Sequence, residues 1–358
     1  MNNVVYILGA GFSAPLGIPV MSAFLTRSKD IYSSSPEKYQ HFFNIFKSID
    51  ALAKVKNYLT SDLFNIEEVL SILEMQAYVS GSAFDVVFAQ YIADVVKACT
   101  PDYPSYIRPS HSRFEEGLFS SYVDFTGIYS DFLASAIGLQ FEDNGIENKL
   151  ICTRCNDRRS QYGFISLNYD MVLEKFLDHL NSEYQCPIPF AVCPVDDQRN
   201  VYGNENGIAL AKLHGSIEPL TIVPPTWNKT RREDIGKAWR VAHSLISQAN
   251  YIRIIGYSLP KTDVYMKYLL TTGIINSLNI KGIDVICLDP DKTVEKRYRE
   301  MISFHDFRFF NADICEYMKI STVGNIFQKE GKPRAYSFPT LEQRHSIFIN
   351  KHMKQIQG

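Results

Sequence analysis

The chain has 358 residues, 46% of them hydrophobic and 21% charged, with a formal net charge of −2. That length buries a sizeable core in one large or two modest domains, and the composition is that of an ordinary globular protein. Near-neutral charge excludes bulk electrostatic attraction to nucleic acid or to an anionic membrane, and seven scattered cysteines, an odd number, read as reduced thiols of a cytoplasmic protein.

No charged residue precedes Arg27. Met1-Asn2-Asn3 supplies no basic leader, and Gly9, Gly11, Pro15, Gly17 and Pro19 interrupt the apolar run, so neither a signal peptide nor a membrane span is expected. Val4 to Leu8 is a buried-strand pattern that runs straight into Gly9-Ala10-Gly11, with Ala14 as the third small residue. This G-x-G-x-x-A turn opening a helix is the pattern that brings a pyrophosphate onto backbone N–H groups. A match this short equally fits a strand–helix turn with no ligand. Its continuation through Pro15, Gly17 and Pro19 is rarer, because a helix there breaks within two turns.

Residues 27–150 read as a helical insertion. Ile66, Val69, Leu70 and Leu73 recur at helical spacing behind a candidate N-cap, Asn65. Val87, Tyr91, Val95 and Cys99 predict a second helix and residues 114–138 a third, with Pro101, Pro104 and Pro109 marking a loop between them. No strand is expected in this stretch.

Beyond residue 160, short apolar runs alternate with helices. Strands are expected at 164–167, 208–213, 251–257, 284–288 and 307–310, and helices at 171–180, 237–249, 264–277, 293–302 and from 314 onward. The alternation predicts an α/β protein: a doubly wound, Rossmann-like parallel sheet with helices on both faces and a helical insertion after the first glycine loop. One domain over 1–325 and a polar tail or docking segment over 326–358 follow from the composition.

Ligands of such sheets bind beyond the carboxyl ends of the strands. There the chain places Asn168-Tyr169-Asp170, His214-Gly215-Ser216, Gly256-Tyr257-Ser258-Leu259-Pro260 with Thr262-Asp263 as a cap, and Asp289-Pro290-Asp291. Each alone is an ordinary helix cap or turn. Together with the glycine loop they form one rim of polar groups.

The order and wording of these motifs resemble the sirtuin-like family, in its divergent prokaryotic branch, over roughly residues 1–320. GAGFSAPLGIP is similar to the family's nucleotide loop, SLNYD to its Asn-x-Asp element, KLHGS to its catalytic His-Gly, IIGYSLPKTD to its Gly-x-Ser-Leu segment, and CLDPD to its adenosine-ribose contact. The resemblance implies that NAD binds and that its nicotinamide–ribose bond is the reactive one. Gly9, Ala10, Gly11, Phe12 and Ser13 would then cradle the pyrophosphate, with Gly256 and Ser258 near the phosphates and Asp289 on the adenosine ribose. His214 would move a proton, Asn168 would hold water or ribose hydroxyls, and Asp170 would orient the carboxamide.

Two departures bear on activity. Sirtuin deacylases follow Gly-Ile-Pro with Asp-Phe-Arg, where this chain has Val20-Met21-Ser22. They also carry a four-cysteine zinc module after the histidine. Here Cys152 and Cys155 form a lone C-x-x-C before Asn168, with Cys186 and Cys193 seven apart, so no metal is expected. The resemblance therefore implies NAD hydrolysis to ADP-ribose and nicotinamide, in the setting of NAD depletion during bacterial antiphage defence. Protein deacylation, ADP-ribosyl transfer and a non-catalytic NAD-sensing module stay open. A homo-oligomer is expected, and regulation by oligomerisation or by a separately encoded partner such as a motor ATPase or other phage sensor. Trp227 beside Lys229, Arg231 and Arg232 suggests a base-stacking patch, but Glu233 and Asp234 offset the charge, and no direct nucleic-acid or membrane binding is expected. Trp239 reads as a packing anchor with Ala242 and Ile246.

Overall fold

The computed structural model describes residues 1–55, 66–81, 84–101, 125–143, 150–154, 160–184, 191–193, 201–202, 207–223, 233–261, 263–277, 279–319, 325–327, 335–337 and 341–357. Asn65, Pro104, Pro109, Cys155, Cys186, Trp227 and Thr262 lie outside them. Strand β1 (Asn2–Leu8) is the centre of the fold. Val4, Val5, Tyr6 and Ile7 are all fully buried, so both faces of the strand are covered. A strand covered on both faces needs apolar residues at every position, which explains the continuous VVYIL run.

β1 pairs in parallel with β4 (Ser160–Ser166) on one side and with β7 (Tyr251–Ile255) on the other. With β5 (Ala191–Cys193), β6 (Gly207–Lys212), β8 (Gly282–Ile286) and β9 (Phe307–Phe310), they make a seven-stranded parallel sheet in the order β5-β6-β4-β1-β7-β8-β9. From β1 the chain passes to β4, out to the edge strand β5 and back one place to β6, then crosses to lay β7 on the other side of β1. The strand order thus reverses between β1 and β7, the place where doubly wound sheets open a crevice for ligands. β5 is a three-residue edge strand, too short for its apolar pattern to show in the sequence.

Two hydrophobic layers sandwich the sheet. Val5, Ile7, Ile165 and Ile254 face one layer with helices α8 (Glu233–Ser247), α9 (Val264–Ile275) and α10 (Thr293–Met301). Val4, Tyr6, Leu8 and Phe164 face the other. Its helices are α2 (Met21–Ser34), α3 (Gln40–Val55), α4 (Ile66–Ser80), α5 (Phe84–Cys99), α6 (Phe125–Ile137), α7 (Val172–Tyr184), α11 (Ile314–Lys319) and α12 (Leu341–Gln357). The insertion packs around Tyr91, whose ring lies 4.8 Å from Phe42 and 5.4 Å from Phe88. Its hydroxyl is satisfied by Ser28 Oγ at 2.7 Å, so this ring is buried without an orphaned polar group. The alternating texture beyond residue 160 is borne out, with boundaries moved by a few residues.

One expectation is corrected. The stretch before residue 150 does hold a strand: β2 (Leu139–Asp143) pairs with β3 (Leu150–Arg154) in a four-stranded antiparallel sheet completed by β10 (Asn325–Phe327) and β11 (Ala335–Ser337). Of the tail or docking segment expected over 326–358, residues 341–357 form α12, which buries Leu341 and Phe348 in the core.

What docks α12 is a buried polar chain under it. Arg253 on β7 is only 1% exposed and donates to Glu342 Oε2 at 2.7 Å and to the Tyr6 hydroxyl at 2.7 Å. Tyr6 meets the Tyr317 hydroxyl at 3.2 Å, which meets His345 Nδ1 at 3.2 Å. His345 Nε2 reaches Asp284 Oδ2 at 2.8 Å, and Asp284 also accepts from Arg308 Nε at 2.6 Å. Hydrogen bonds can run in one direction from Arg253 to Asp284 only if His345 is neutral, with its proton on Nε2.

Burial, reinforced by the nearby charge of Arg253, pushes the His345 ring down from 6.5 to about 4. Burial alone would raise the Asp284 carboxyl, but hydrogen bonds from His345 and Arg308 hold it below its ordinary 3.8. The unfolded chain therefore takes up a proton near pH 6.5 that the folded ring refuses until about 4. Stability falls as pH drops through that window, and protonation of Asp284 extends the loss below it. Replacing His345→Gln removes this term. Chemical denaturation should show the stability difference between pH 7 and pH 4.5 shrinking by about 2 kcal/mol in the variant. An unchanged pH dependence would contradict the assignment.

Candidate functional site

The parallel ladder carries each strand to the same rim. Leu8, Ser166 and Ile255 stand in register, and the backbone bonds continue one residue further, with Leu167 N on Leu8 O at 2.9 Å and Gly9 N on Ile255 O at 2.9 Å. The motif residues follow at once on each strand.

Across the β1–β7 crevice the two loops touch backbone to backbone. Gly11 N donates to Gly256 O at 2.9 Å. A Cβ on Gly9 would stand 2.6 Å from that oxygen, one on Gly11 2.8 Å from Gly256 Cα, and one on Gly256 2.5 Å from Phe12 N. Gly256 also has φ +62, which disfavours any side chain. The glycines expected to let a phosphate approach are thus required first for loop–loop contact. α1 (Ala10–Ser13) follows as a single turn, then a 3-10 turn over Ala14–Leu16 ending at Gly17 with φ +90. The early helix break read from Pro15 and Gly17 is borne out.

Two cavities open at this crevice. An inner chamber of about 90 Å³ is lined by Ser13, Asn168, Asp170, His214 and Asp263, with Ile18, Phe24 and Val96 forming an apolar wall. An outer groove of about 1530 Å³ runs over the ends of β7, β8 and β9, past Gly11, Cys287, Asp313 and Cys315 to Lys319 and Lys351. They share a neck made by Ala10, Met21, Gly256, Ser258 and Pro260. In the chamber's apolar wall Ile18 precedes α2, Phe24 lies on α2 and Val96 on α5, so the insertion contributes to enclosing the polar end of the site.

Inside the chamber the side chains are fixed. Asn168 Nδ2 donates to Gly9 O at 3.0 Å and Ser13 Oγ at 3.1 Å, which uses both of its hydrogens and leaves Oδ1 as the end available to a ligand. Asp170 Oδ1 accepts from Val172 N at 3.1 Å and so caps α7. His214 is 2% exposed. The turn after it needs Gly215, because φ is +82 and a Cβ would lie 1.8 Å from Thr221 O. Val223 N donates to His214 O at 2.9 Å, closing the turn. Trp239 is the packing anchor expected of it, and its Nε1 donates to Leu213 O at 3.1 Å, one residue before His214.

Of the loop residues, Ala10, Gly11 and Ser13 line the cavities. Phe12 points into the core, with its ring 5.1 Å from that of Tyr129 and its amide on Gly9 O at 2.8 Å. Gly9, Gly11 and Phe12 amides therefore already donate within the protein. Gly256 and Ser258 sit at the neck.

Asp289 does not. It is 1% exposed, and its two carboxylate oxygens accept from Val294 N at 3.0 Å and Glu295 N at 2.8 Å. Its backbone is clamped by Asn311 at 2.8 Å on both its N–H and its carbonyl. Its carboxylate is taken up as a cap on α10 and does not line the groove, whose acids are Asp313 and Glu316.

Two residues of the site lie inside the quoted motifs, KLHGS and IIGYSLPKTD, but had no role in the site assigned from the sequence. Lys212 Nζ donates to Glu174 Oε1 at 2.9 Å, Ser216 Oγ at 3.0 Å and the Asp170 carbonyl, so one ammonium ties the Asn168 turn to the His214 turn. Asp263 does cap α9, through Oδ1 on Met266 N at 3.2 Å, but its other oxygen also lies 3.8 Å from His214 Nε2. Among the described residues no cluster of three or more His, Cys, Asp or Glu could hold a metal, and no helix is long and apolar enough to cross a membrane.

No family model and no curated protein matches the chain. Among solved structures it is similar to Sir2 in complex with the inhibitor EX-527, 2'-O-acetyl-ADP-ribose and deacetylated p53 peptide, at 12% identity and TM-score 0.30 over 88% of this chain and 91% of that one. It is similar also to a sirtuin solved for the basis of substrate affinity, at 11% identity and TM-score 0.32 over 88% and 91%. A third is Sir2 with p53 peptide and NAD+, at 12% identity and TM-score 0.28 over 88% and 90%. Likeness so distant leaves the chemistry to be read from this site's own residues.

The interlock of the loops is testable by comparing two glycines of similar backbone conformation. Gly81 has φ +67 with nothing within 4 Å of a Cβ, whereas Gly256 meets backbone. Gly81→Ala should cost about 1 kcal/mol, and Gly256→Ala more than about 3 kcal/mol, by thermal or chemical unfolding. Equal losses would mean that the loops part easily.

Proposed function

We propose that the chain is an NAD glycohydrolase, cleaving the nicotinamide–ribose bond to give ADP-ribose and nicotinamide. The observation that carries the reading is the enclosed chamber holding Asn168 and His214, joined through the Ala10–Gly256 neck to a groove large enough for the rest of a dinucleotide. The sequence motifs that resemble the sirtuin-like family supply these same residues.

The donor set suits this bond. Nicotinamide leaves a cationic glycoside as a neutral molecule, taking the bonding electron pair, and the ribose passes through an oxocarbenium-like state. That state is short-lived in water, so an enclosed site with few polar groups, each fixed in place, favours controlled capture. Asn168 Oδ1 offers a neutral acceptor for a water or ribose hydroxyl. His214 takes the proton as the water oxygen bonds to the anomeric carbon, and later returns it to solvent. Ser13 and Ser258 offer hydroxyls along the path from chamber to groove. Asp170 completes the polar side of the chamber, where a free carboxamide would lie.

An apolar wall of Phe24 and Val96 on the chamber favours water over a protein side chain as acceptor. That places deacylation and ADP-ribosyl transfer second. In the cell, hydrolysis of this kind would deplete NAD, the setting the motifs suggest being bacterial antiphage defence. Control would then rest on self-association or on a separately encoded sensor.

Purified protein should release nicotinamide from NAD with no acylated peptide present. His214→Ala and Asn168→Ala should each lower turnover about 10²-fold or more. Chromatography of the products decides it. Full turnover in both variants refutes the site, and strict dependence on a peptide moves the reaction to deacylation.

A further inference from the structure

We infer that Asp263 is the positioning residue of His214, anchored by Tyr257; the inference rests on His214 being the proton-transfer group proposed above. Asp263 is 2% exposed, and its side chain is fixed at both oxygens. Oδ1 accepts from Met266 N at 3.2 Å and Oδ2 from the Tyr257 hydroxyl at 2.9 Å. The same Oδ2 lies 3.8 Å from His214 Nε2, within ion-pair range and beyond a hydrogen bond. Such contacts between catalytic groups commonly shorten when substrate binds.

The backbone is bent to bring this about. Gly256 and Leu259 both have positive φ, at +62 and +49. A leucine there is strained, and strain of this kind persists only where the surroundings impose it. The two left-handed residues fold the segment back on itself, so that Tyr257 and Asp263 meet at the chamber. Tyr257 is itself held, its carbonyl accepting from the Tyr298 hydroxyl at 2.9 Å. A helix cap alone would need neither the tyrosine nor the bend.

The chemistry follows from a carboxylate beside an imidazole. With its proton on Nε2, facing Asp263, His214 presents Nδ1 as the basic nitrogen. When Nδ1 takes a proton from water, the O–H bond breaks, an N–H bond forms, and the imidazolium charge is balanced by Asp263 without the carboxylate being protonated. Other ionisable groups facing the chamber are Asp170, which caps Val172, and Tyr169, whose ring lies 6.1 Å from that of His214.

Asp263→Asn is the direct test, because Asn retains the cap on Met266 and removes the charge. With NAD as substrate, turnover should fall about 10²-fold with KM within about threefold, and the acidic limb of the pH profile should move down by about one pH unit. Added to His214→Ala it should cost nothing further, since it acts through that ring. Unchanged turnover, or an independent loss on the His214→Ala background, overturns the inference. If Asp263→Asn fails to fold, Tyr257→Phe takes its place, and an unmoved pH profile there overturns it. If the wild-type protein releases no nicotinamide, it is the hydrolase reading that fails. The positioning role is then read from NMR of the labelled His214 ring, whose titration midpoint should fall in Asp263→Asn; an unmoved midpoint overturns it.

Discussion

Contact between two bare backbones organises this molecule. Gly9 and Gly11 after β1, and Gly256 after β7, sit closer than any side chain would allow. Each side of the site hangs from one of the touching loops. Gly9 offers its carbonyl to Asn168, and Gly256 begins the bent segment that ends at Asp263. Ala10 and Gly256, from the same two loops, stand in the neck between chamber and groove. Widening the contact by one methyl would separate the groups that bind from the groups that react.

The strand ends were legible because a strand buried on both faces is written as a continuous apolar run, and polar residues at its end stand out. Asn168, His214, Gly256 and Ser258 surfaced this way. Asp289 surfaced by the same logic and belongs to a cap, whereas Asp263 looked like a cap and also faces the histidine. The two are alike in sequence, each an acid shortly before a helix. What separates them is whether the carboxylate faces backbone amides alone or a second loop far along the chain. Lys212 was given no role for a similar reason, being the last residue of an apolar strand, with partners on two distant turns.

Element errors have a common cause as well. β2 and β3 form a sheet with segments nearly two hundred residues away, so nothing local distinguishes them from the insertion around them. α12 reads as polar because its buried face uses Glu342 and His345 as well as Leu341 and Phe348. Polar residues that are buried as partners for other buried polar residues mimic a surface helix.

The position of Arg253 has a consequence for how the chain is made. It lies in a central strand, and its carboxylate partner comes 89 residues later, on the last helix. A ribosome delivers β7 well before α12, and in that interval the guanidinium must stay wetted or sit unpaired in a dry core. An unpaired buried charge of this sort costs about 3–5 kcal/mol, comparable to much of a domain's stability. Closing the core around β7 is thereby coupled to the docking of α12, whose first turn brings the carboxylate that neutralises the guanidinium.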